Sequence, residues 1–454
     1  MNMKTEEADI VVVGGGTGGC FAAASAASEG LDVVLLERKS REEGGRIACG
    51  DAIKGAASLP DVIDRDYVAD ESFTNQEVRR GIFEAEGEKI EIPLPSVGKV
   101  MDRKRYGEVI LEEAERAGAE VVYDTVAQGV IQKDGRVEGV HAVRKGEHIE
   151  YRAPVTIDGA GALSVLQDDA DLSDTTFDTN VNFTQFCSAY REIIEVDEPV
   201  EWNDALVFKP AEELGYVWYF PRTPTEINAG LGFQMSEEPM KLVEALRRDV
   251  QERDEFKNAR VINKLGAALP TRRPYDSGVA PGFVAVGDAA GHVNPTTGGG
   301  IPGAAKSGAW AGEVAADAVV EEDVSEGALW EYNERVMHGF GKKFAATDLY
   351  NIFGTAHGVD ELTDLVKPMP GQQLVDALGE GEVSMSLGLK LKTLIKTFGH
   401  WGLLRELYGV HKKAEEIKET YASYPSIDGF DTWKEERDGI MEDVYEITGA
   451  TPKY

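Results

Sequence analysis

The segment "DIVVVGGGTGGCFAAASAASEGLDVVLLE", residues 9–37, decides the fold. It opens with a short β-branched run, Ile10–Val13, that ends at glycine, a pattern typical of a buried strand. An alanine-rich stretch from Phe21 to Ser28 predicts a helix, and Val33–Leu36 predicts a second buried strand. Strand, helix and strand in this order and at this spacing indicate a βαβ unit with two parallel strands.

The turn between the first strand and the helix reads Gly14-x-Gly16-x-x-Gly19, with Gly18 inside it. Such glycines permit a tight turn, let the backbone approach a pyrophosphate and let the helix pack closely on the strand. Glu37 ends the second strand and can accept hydrogen bonds from a ribose, which favours FAD or NAD over NADP. A glycine-rich turn without a ligand is the alternative, but the surrounding pattern favours a dinucleotide site.

The composition suits a folded, acidic protein. Of the 454 residues 42% are hydrophobic, and 81 Asp and Glu against 47 Lys and Arg give a net charge of −34. Such a surface repels phosphates, so we expect no nucleic acid partner. Because the acids are spread along the chain, they fit a halophilic protein kept soluble in a salt-rich cytoplasm. The N-terminus shows no signal peptide, and we expect a cytoplasmic protein that at most lies on a membrane face.

Cysteine is scarce, with Cys20, Cys49 and Cys187 the three in the chain. They are too few for a disulfide framework, and the absence of clustered His and Cys spacing predicts no metal site. Cys49 lies in the glycine-flanked stretch "GGRIACGDAIKG", residues 44–55. There it is either a reactive group or a small residue at a place where the backbone must approach a ligand.

A second glycine-rich block indicates which dinucleotide binds. It reads "GFVAVGDAAGHVNPTTGGGIPGAAKSGAWAGEVAADAV" (282–319). It predicts a strand over Phe283–Val286, then Asp288, and a helix from Ile301 to Val319. An aspartate at a strand's end can bind ribityl hydroxyls, and glycines at a helix start can approach a flavin ring. With the N-terminal unit, the block resembles the flavoprotein hydroxylase and reductase superfamily.

The resemblance implies FAD as cofactor and an α/β fold with a Rossmann-like FAD-binding domain of the p-hydroxybenzoate-hydroxylase-like type. It also implies that Asp288 binds ribitol and that Arg103 contacts FAD. The alternatives are a helix cap or turn residue for Asp288 and a solvated charge for Arg103. The FAD contacts implied, with the N-terminal turn included, are Gly14, Gly16, Gly18, Gly19, Glu37, Arg38, Ala48, Gly50, Arg103, Ala127, Asp288, Gly299, Gly300 and Ile301.

One superfamily signature is altered in "TIDGAGALS", residues 156–164. Ala160 stands where the hydroxylases have an aspartate, while Gly161 and Ser164 remain. In the hydroxylases this aspartate takes part in binding FAD and a nicotinamide. The change disfavours an NADPH-docking, oxygen-activating enzyme.

The stretch "GYVWYFPR" (215–222) places Tyr216, Trp218 and Phe220 on one face of a predicted strand. Alone, this pattern is more typical of a sheet face packed on a helix. Tyr-x-Trp-x-Phe-Pro also resembles the signature of geranylgeranyl reductases, which carry a Cys-Gly-Glu/Asp loop like Cys49-Gly50-Asp51. That resemblance, nearest to the archaeal branch acting on ether lipids, implies a polyprenyl tunnel ending at the flavin. It implies substrate contacts at Tyr216, Trp218, Phe220 and Pro295.

We expect three regions in the chain. An FAD-binding domain takes residues 1–167 and 265–330, an inserted antiparallel-sheet substrate domain takes 168–264, and a helical C-terminal region takes 331–454. In that last region "LGLKLKTLIKTFGHWGLLREL" predicts a basic amphipathic helix that places Leu391, Leu394, Ile395, Phe398 and Trp401 on one face. Contact of 390–407 with anionic lipid is one interpretation, and a C-terminal packing helix is the stronger one.

The resemblance implies that the enzyme saturates isoprenoid double bonds with a hydride from reduced FAD and a proton from elsewhere. Cys49 is the catalytic candidate, as proton donor or positioning group. The electron donor stays open between NADH, NADPH, ferredoxin or another low-potential reductant. The rival functions are a monooxygenase or halogenase of the same fold and an electron-transfer flavoprotein that feeds quinones.

Overall fold

The structure is a computed structural model that describes residues 4–85, 87–178, 186–211, 215–234, 238–358, 361–362 and 401–452. The α-helices whose bounds lie within these ranges are α1 (Thr17–Ser28), α2 (Arg65–Ser72), α3 (Arg103–Ala117), α4 (Val165–Asp169), α5 (Pro239–Glu252), α6 (Ile301–Val320), α7 (Glu326–Val336), α8 (Lys342–Ala356), α9 (Trp401–Ala422) and α10 (Phe430–Thr448).

The strands form three sheets. In chain order they are β1 (Lys4–Glu7), β2 (Ile10–Val13), β3 (Val33–Leu36), β4 (Ala52–Ile53), β5 (Phe73–Ala85), β6 (Glu88–Met101), β7 (Glu120–Val122), β8 (Thr125–Lys133), β9 (Arg136–Arg144), β10 (Glu147–Arg152), β11 (Val155–Asp158), β12 (Phe186–Glu195), β13 (Ala205–Pro210), β14 (Gly215–Pro221), β15 (Glu226–Gln234), β16 (Arg260–Pro270), β17 (Val279–Ala280) and β18 (Phe283–Ala285).

The predicted βαβ unit forms the centre of a six-stranded sheet with the order β17-β18-β11-β2-β3-β7. All neighbouring strands are parallel except β17, which pairs antiparallel to β18. The predicted strands Ile10–Val13 and Val33–Leu36 are confirmed, and α1 begins at Thr17 rather than at Phe21. Helix α6 confirms the predicted helix that starts at Ile301.

Strand β2 is apolar throughout because both of its faces are covered. Ile10 and Val12 pack among the helices in one core, whereas Val11 and Val13 lie in a second core toward β8, β9 and β10. Those three strands and β1 form a four-stranded sheet in the order β1-β10-β9-β8. A central parallel strand covered on both sides reads as a continuous apolar run, which is why the sequence identified it.

The third sheet has eight strands in the order β16-β12-β15-β14-β13-β5-β6-β4. Its pairings are antiparallel except for β13 with β5. The predicted insertion 168–264 holds β12 to β15 and part of β16, but β4, β5 and β6 come from residues 52–101. The sheet is therefore larger than expected, because a long hairpin on the N-terminal side joins it at β13.

The C-terminal helices are fixed to the rest of the chain by a buried charge cluster. The side chain of Asp276, only 2% exposed, lies 2.5 Å from Arg273 Nη1 and 2.6 Å from Arg437 Nη2. Tyr421 in α9 also donates to Asp276 at 3.2 Å. Arg437 lies in α10, so one carboxylate joins both helices to the loop after β16.

Residues 390–400 of the predicted amphipathic helix lie outside the described part of the chain. Residues 401–407 begin α9, where Leu403, Leu404 and Leu407 pack against the main hydrophobic core. Among the helices that the structure describes, none is long and apolar enough to cross a membrane.

Candidate functional site

In the N-terminal glycine turn, only the backbone of Gly16, the residue before α1, has free space beside it. Gly14 has a φ of +99°, and a Cβ on it would lie 2.4 Å from the Gly159 carbonyl oxygen. A Cβ on Gly19 would lie 2.0 Å from the Gly14 carbonyl oxygen, so this turn needs glycine at both places. Gly18 lies against Val286. At Gly16 the nearest atom to an added Cβ is 4.0 Å away, so its backbone faces open space at the helix N-terminus.

Arg103 reaches this helix N-terminus from α3. It is the first residue of α3, its side chain is buried, and its Nη2 donates to Thr17 Oγ1 at 3.3 Å. Its Nη1 group is buried and has no hydrogen-bond partner within the described residues. A buried guanidinium with an unused donor beside a helix N-terminus suits an anionic or carbonyl acceptor, as a flavin dinucleotide offers.

Asp288 lies in the turn after β18 and beside the start of α6. A Cβ on Gly300 would lie 3.3 Å from Asp288 Oδ1, and Gly300 immediately precedes Ile301, the first residue of α6. Gly299 comes just before and is exposed. Burial raises the pKa of Asp288 to about 6, against the opposing effect of Arg103. A Cβ on Gly18 in the first turn of α1 would lie 3.5 Å from Gly287 N, so the turn that carries Asp288 is next to the start of α1.

Glu37 holds the turn together from the end of β3. Its Oε2 accepts a hydrogen bond from Gly15 N at 2.8 Å and its Oε1 accepts one from Lys39 N, also at 2.8 Å. A carboxylate has further lone pairs, so these bonds leave room for a ribose hydroxyl. Arg38 is exposed beside it, Ala48 is partly buried, and Ala127 lies in β8 opposite Ala142.

The aromatic strand has the predicted alternation. Tyr216, Trp218 and Phe220 share one face of β14, while the side chains between them face α5. The ring centroids of Tyr216 and Trp218 are 5.9 Å apart, and those of Trp218 and Phe220 are 6.3 Å apart. Phe208 of β13 adds a fourth ring, 5.2 Å from Phe220. These rings form a continuous aromatic face.

Trp218 lies flat across its neighbouring strand. A Cβ on Gly230 of β15 would lie 2.1 Å from Trp218 Cζ2 and 2.4 Å from its Cε2. Only a residue without a side chain leaves room for the indole there. The glycine therefore sets the orientation of the ring.

The Cys49 loop packs against the aromatic face. A Cβ on Gly50 would lie 3.3 Å from the Phe220 ring and 3.6 Å from Trp218 Nε1. Asp51 N donates to Cys49 Sγ at 3.2 Å. Burial raises the pKa of the Cys49 thiol, and Asp51 adds to the shift, so the thiol is protonated at neutral pH.

The other end of the aromatic face meets the loop before α6. Tyr216 donates from its hydroxyl to the Thr297 carbonyl oxygen at 2.8 Å. Pro295 is buried in the same loop, and its carbonyl accepts from Asn351 Nδ2 at 3.3 Å. The structure thus brings the Cys49 loop, the aromatic face and the glycine loop before α6 together.

The sequence from residue 9 to residue 264 matches the profile of a family described as FAD dependent oxidoreductase. The digeranylgeranylglycerophospholipid reductase of Methanothrix thermoacetophila is 33% identical over 343 residues, which cover 74% of this chain and 85% of that protein. The chain belongs to the geranylgeranyl reductase family. It is an FAD-dependent oxidoreductase, and the Arg103 donor and the open Gly16 backbone fit that cofactor.

One further curated protein and one solved structure are similar to this chain. The digeranylgeranylglycerophospholipid reductase of Sulfolobus acidocaldarius is 27% identical over 466 residues, covering 97% of this chain and 98% of that protein. The crystal structure of a geranylgeranyl bacteriochlorophyll reductase-like protein from Thermoplasma acidophilum has a TM-score of 0.73 at 24% identity. The match covers 89% of this chain and all of that one, which shows a shared fold.

In this member of the reductase family, the sequence motifs did not identify Asn228 and Arg222 as residues of the site. Both contact Asp51, Asn228 from β15 and Arg222 from just after β14. A signal for Arg222 was its place directly after the aromatic motif. The signal for Asn228 was its position in β15, because a polar residue there lies on the same face of the strand as Gly230.

Proposed function

We propose that this chain reduces the carbon–carbon double bonds of geranylgeranyl chains, with archaeal ether phospholipids as the substrate class. The observation that carries the proposal is the packing of Gly50, next to Cys49, on the rings of Trp218 and Phe220. The names of the curated relatives support the same reaction.

The reaction needs a hydride, a proton and a site without competing water. Reduced FAD, when bound, supplies the hydride, and an external reductant such as NAD(P)H or ferredoxin restores its two electrons. An isolated trisubstituted alkene is a poor hydride acceptor, so one carbon must receive a proton as the other receives the hydride. Each saturation consumes one hydride and one proton.

The side chains of this protein would bind the alkene and hold the proton. The rings of Tyr216, Trp218 and Phe220 are flat and apolar and can line a tunnel for an isoprenoid chain. Pro295 would bound the tunnel on the side of α6. Cys49 carries a protonated thiol beside these rings and is the candidate for the proton.

The finer architecture belongs to the same proposal. FAD would lie along the N-termini of α1 and α6, held by the glycine turn, Arg103 and Asp288, in a domain of the p-hydroxybenzoate-hydroxylase-like type. The substrate would lie on the aromatic face of the eight-stranded sheet. The division into 1–167 plus 265–330, 168–264 and 331–454 stays a prediction, with β4, β5 and β6 as strands that 1–167 contributes to the substrate sheet.

The experiment is anaerobic hydrogenation. The purified holoprotein is reduced with dithionite in the presence of a digeranylgeranyl phospholipid, and the product is analysed by mass spectrometry. Successive gains of two hydrogens per double bond are expected. Oxygen uptake coupled to hydroxylation or halogenation, or reoxidation by quinone without saturation, would instead support one of the rival functions.

The role of Cys49 is tested by Cys49→Ser. We expect FAD to stay bound and alkene reduction to slow by about 10²- to 10⁴-fold, the usual contribution of a positioned acid. Cys187→Ser is the matched control, because its thiol bonds to the Phe233 carbonyl at 3.0 Å and a hydroxyl can replace it. Turnover of Cys49→Ser equal to that of the wild type would remove Cys49 from the mechanism.

Peripheral membrane contact through 390–407 is a separate part of the proposal. The lysines at 390, 392 and 396 would approach anionic headgroups. Co-sedimentation with vesicles containing anionic lipid, compared between the wild type and Lys390→Glu/Lys392→Glu/Lys396→Glu, tests it. Equal partitioning of the two proteins would contradict it.

A further inference from the structure

The side chain of Asn228 connects the Cys49 loop to the aromatic face. It is wholly buried on β15. Its Nδ2 donates to the Cys49 carbonyl oxygen at 2.8 Å and to Asp51 Oδ2 at 2.5 Å. Its Oδ1 accepts from Trp218 Nε1 at 3.0 Å. The amide of Asn228 thus contacts the backbone of Cys49, the carboxylate of Asp51 and the indole of Trp218.

These contacts permit one orientation of the amide. An amide nitrogen has two N–H donors, and both have an acceptor here, while the amide oxygen faces an N–H donor. A flipped amide would place its oxygen against the Cys49 carbonyl and the Asp51 carboxylate, and its N–H against the Trp218 N–H. Three repulsive contacts would replace three favourable ones, so the network fixes the side chain.

Arg222 fixes the other end of the network. Its Nε and Nη2 each lie 2.7 Å from Asp51 Oδ2, and its Nη1 lies 3.1 Å from Glu226. Asp51 is fully buried and has a φ of +70°. Residues with a side chain rarely adopt this backbone conformation, so the surrounding contacts must hold Asp51 in it. The Cys49 loop is therefore anchored to the residue after β14 and to the start of β15, the strand across which the Trp218 indole lies.

We propose that Asn228 is a positioning residue, which holds the Cys49 thiol and the Trp218 ring in a fixed relation so that the alkene and the thiol meet. The expected effect on alkene reduction rests on the proposed function. The expected effect on the position of the Cys49 loop does not. Asn228 acts through Cys49 and Trp218, because both of its donors and its acceptor are occupied by protein atoms.

The test compares holoproteins by iodoacetamide alkylation of Cys49 across pH, followed by peptide mass spectrometry. The charged groups that act on this thiol are Asp51, which raises its pKa, and Arg103 and Arg191, which lower it. With Asn228→Ala we expect alkylation of Cys49 to become about tenfold faster, because loss of a buried hydrogen-bond network frees the loop. We also expect kcat for alkene reduction to fall at least tenfold while KM changes less.

Asn333→Ala is the matched control. Asn333 is equally buried in α7, and it bonds to Gly278 N at 3.0 Å and Ser277 Oγ at 2.9 Å. Its loss removes similar bonds between α7 and the segment before β17, none of which involves the Cys49 loop. We expect it to lower the thermal stability similarly but to leave the Cys49 alkylation profile unchanged.

A double-mutant cycle separates positioning from direct contact. Trp218→Phe removes the indole N–H, and we expect it to speed Cys49 alkylation in the wild-type background but not in Asn228→Ala. Equal effects in both backgrounds, or an unchanged profile in Asn228→Ala, would overturn the proposal. If Asn228→Ala does not fold, the isosteric Asn228→Asp and the single Trp218→Phe give the same readout, and unchanged alkylation in them overturns it as well.

The two proposals fail in different ways. If the wild type does not saturate the lipid but Asn228→Ala still speeds the alkylation of Cys49, the proposed reaction is wrong and the positioning role of Asn228 is supported. If the wild type saturates the lipid and Asn228→Ala matches it in both rate and alkylation, the network has no role.

Discussion

Tyr216 and Thr297 are joined by a hydrogen bond of 2.8 Å from the phenol to a backbone carbonyl. The bond connects β14, which carries the aromatic face, to the loop that begins α6. The two partners lie 81 residues apart in the chain. Their contact fixes the distance between the proposed tunnel and the proposed flavin site.

Removing this bond should slow alkene reduction while the fold is kept. We expect Tyr216→Phe to lower kcat by about two- to tenfold, as loss of one neutral hydrogen bond allows, with little change in FAD affinity. The measurement is single-turnover reduction of the lipid. Tyr151→Phe is the control, because the Tyr151 hydroxyl is buried with no hydrogen-bond partner in the described ranges. Parallel losses in both variants would contradict a specific role for the Thr297 contact.

A single methyl group at Gly230 should displace Trp218. Because an added Cβ would lie 2.1 Å from the indole, Gly230→Ala must move the ring. We expect a loss of about 1–3 kcal/mol in the free energy of unfolding, together with slower lipid reduction. Denaturant titration and turnover measure the two effects. Gly232→Ala on the same face is the control, since its nearest neighbour would be Cys187 Sγ at an ordinary 3.5 Å.

The dinucleotide half of the fold was predictable because its signals are local. Ile10–Val13 is buried on both faces, so its four apolar residues stand out without any knowledge of partners. Gly14 and Gly19 mark a turn that other residues would obstruct. The hairpin of β5 and β6 lacked such a signal. Its register shifts three times between Phe73 and Arg80, which breaks the alternation that marks a strand.

The aromatic face of the candidate site was predictable because it lies along a single strand. The period of two in β14 placed Tyr216, Trp218 and Phe220 on one face, as the structure has them. Contacts between distant segments were not predictable from one sequence. Asn228 and Cys49 are 179 residues apart, and nothing near either residue indicates the other. Their contact depends on how the Cys49 loop crosses the sheet.

Arg103 should carry much of the FAD affinity. Its buried Nη1 donor lacks a partner within the described chain, so a bound cofactor would gain a charge-assisted hydrogen bond. We expect Arg103→Met to weaken FAD binding by about 10- to 100-fold, measured by flavin fluorescence titration of the apoprotein. Lys104→Met, at an exposed site paired with Glu108, is the control. Equal affinities of the two variants would contradict the assignment.

Asp288 should make the FAD-free protein less stable as the pH rises. Burial raises its pKa to about 6 in the folded chain, whereas an unfolded aspartate titrates near pH 4. Between these values the folded state binds more protons, so the contribution of Asp288 to stability falls as the pH rises and is fully lost above about 6. We expect Asp288→Asn to match the wild-type melting temperature at pH 4 and to exceed it at pH 7.5. The same variant should bind FAD more weakly, and a melting difference independent of pH would contradict the assignment.

Salt should stabilise this protein by screening its net charge of −34. The Debye length falls from about 10 Å at 0.1 M salt to about 3 Å at 1 M, so most of the gain should come below 1 M. We expect the melting temperature to rise by about 5 °C over that range and then to level off, as followed by differential scanning fluorimetry in KCl. Glu321 and Glu322, exposed at the C-terminal end of α6, give a direct test, because negative charge there also opposes the helix dipole. Glu321→Lys/Glu322→Lys should melt higher at low salt and respond less to KCl. A linear rise in melting temperature beyond 1 M KCl, identical in both proteins, would instead indicate exclusion of salt from the protein surface.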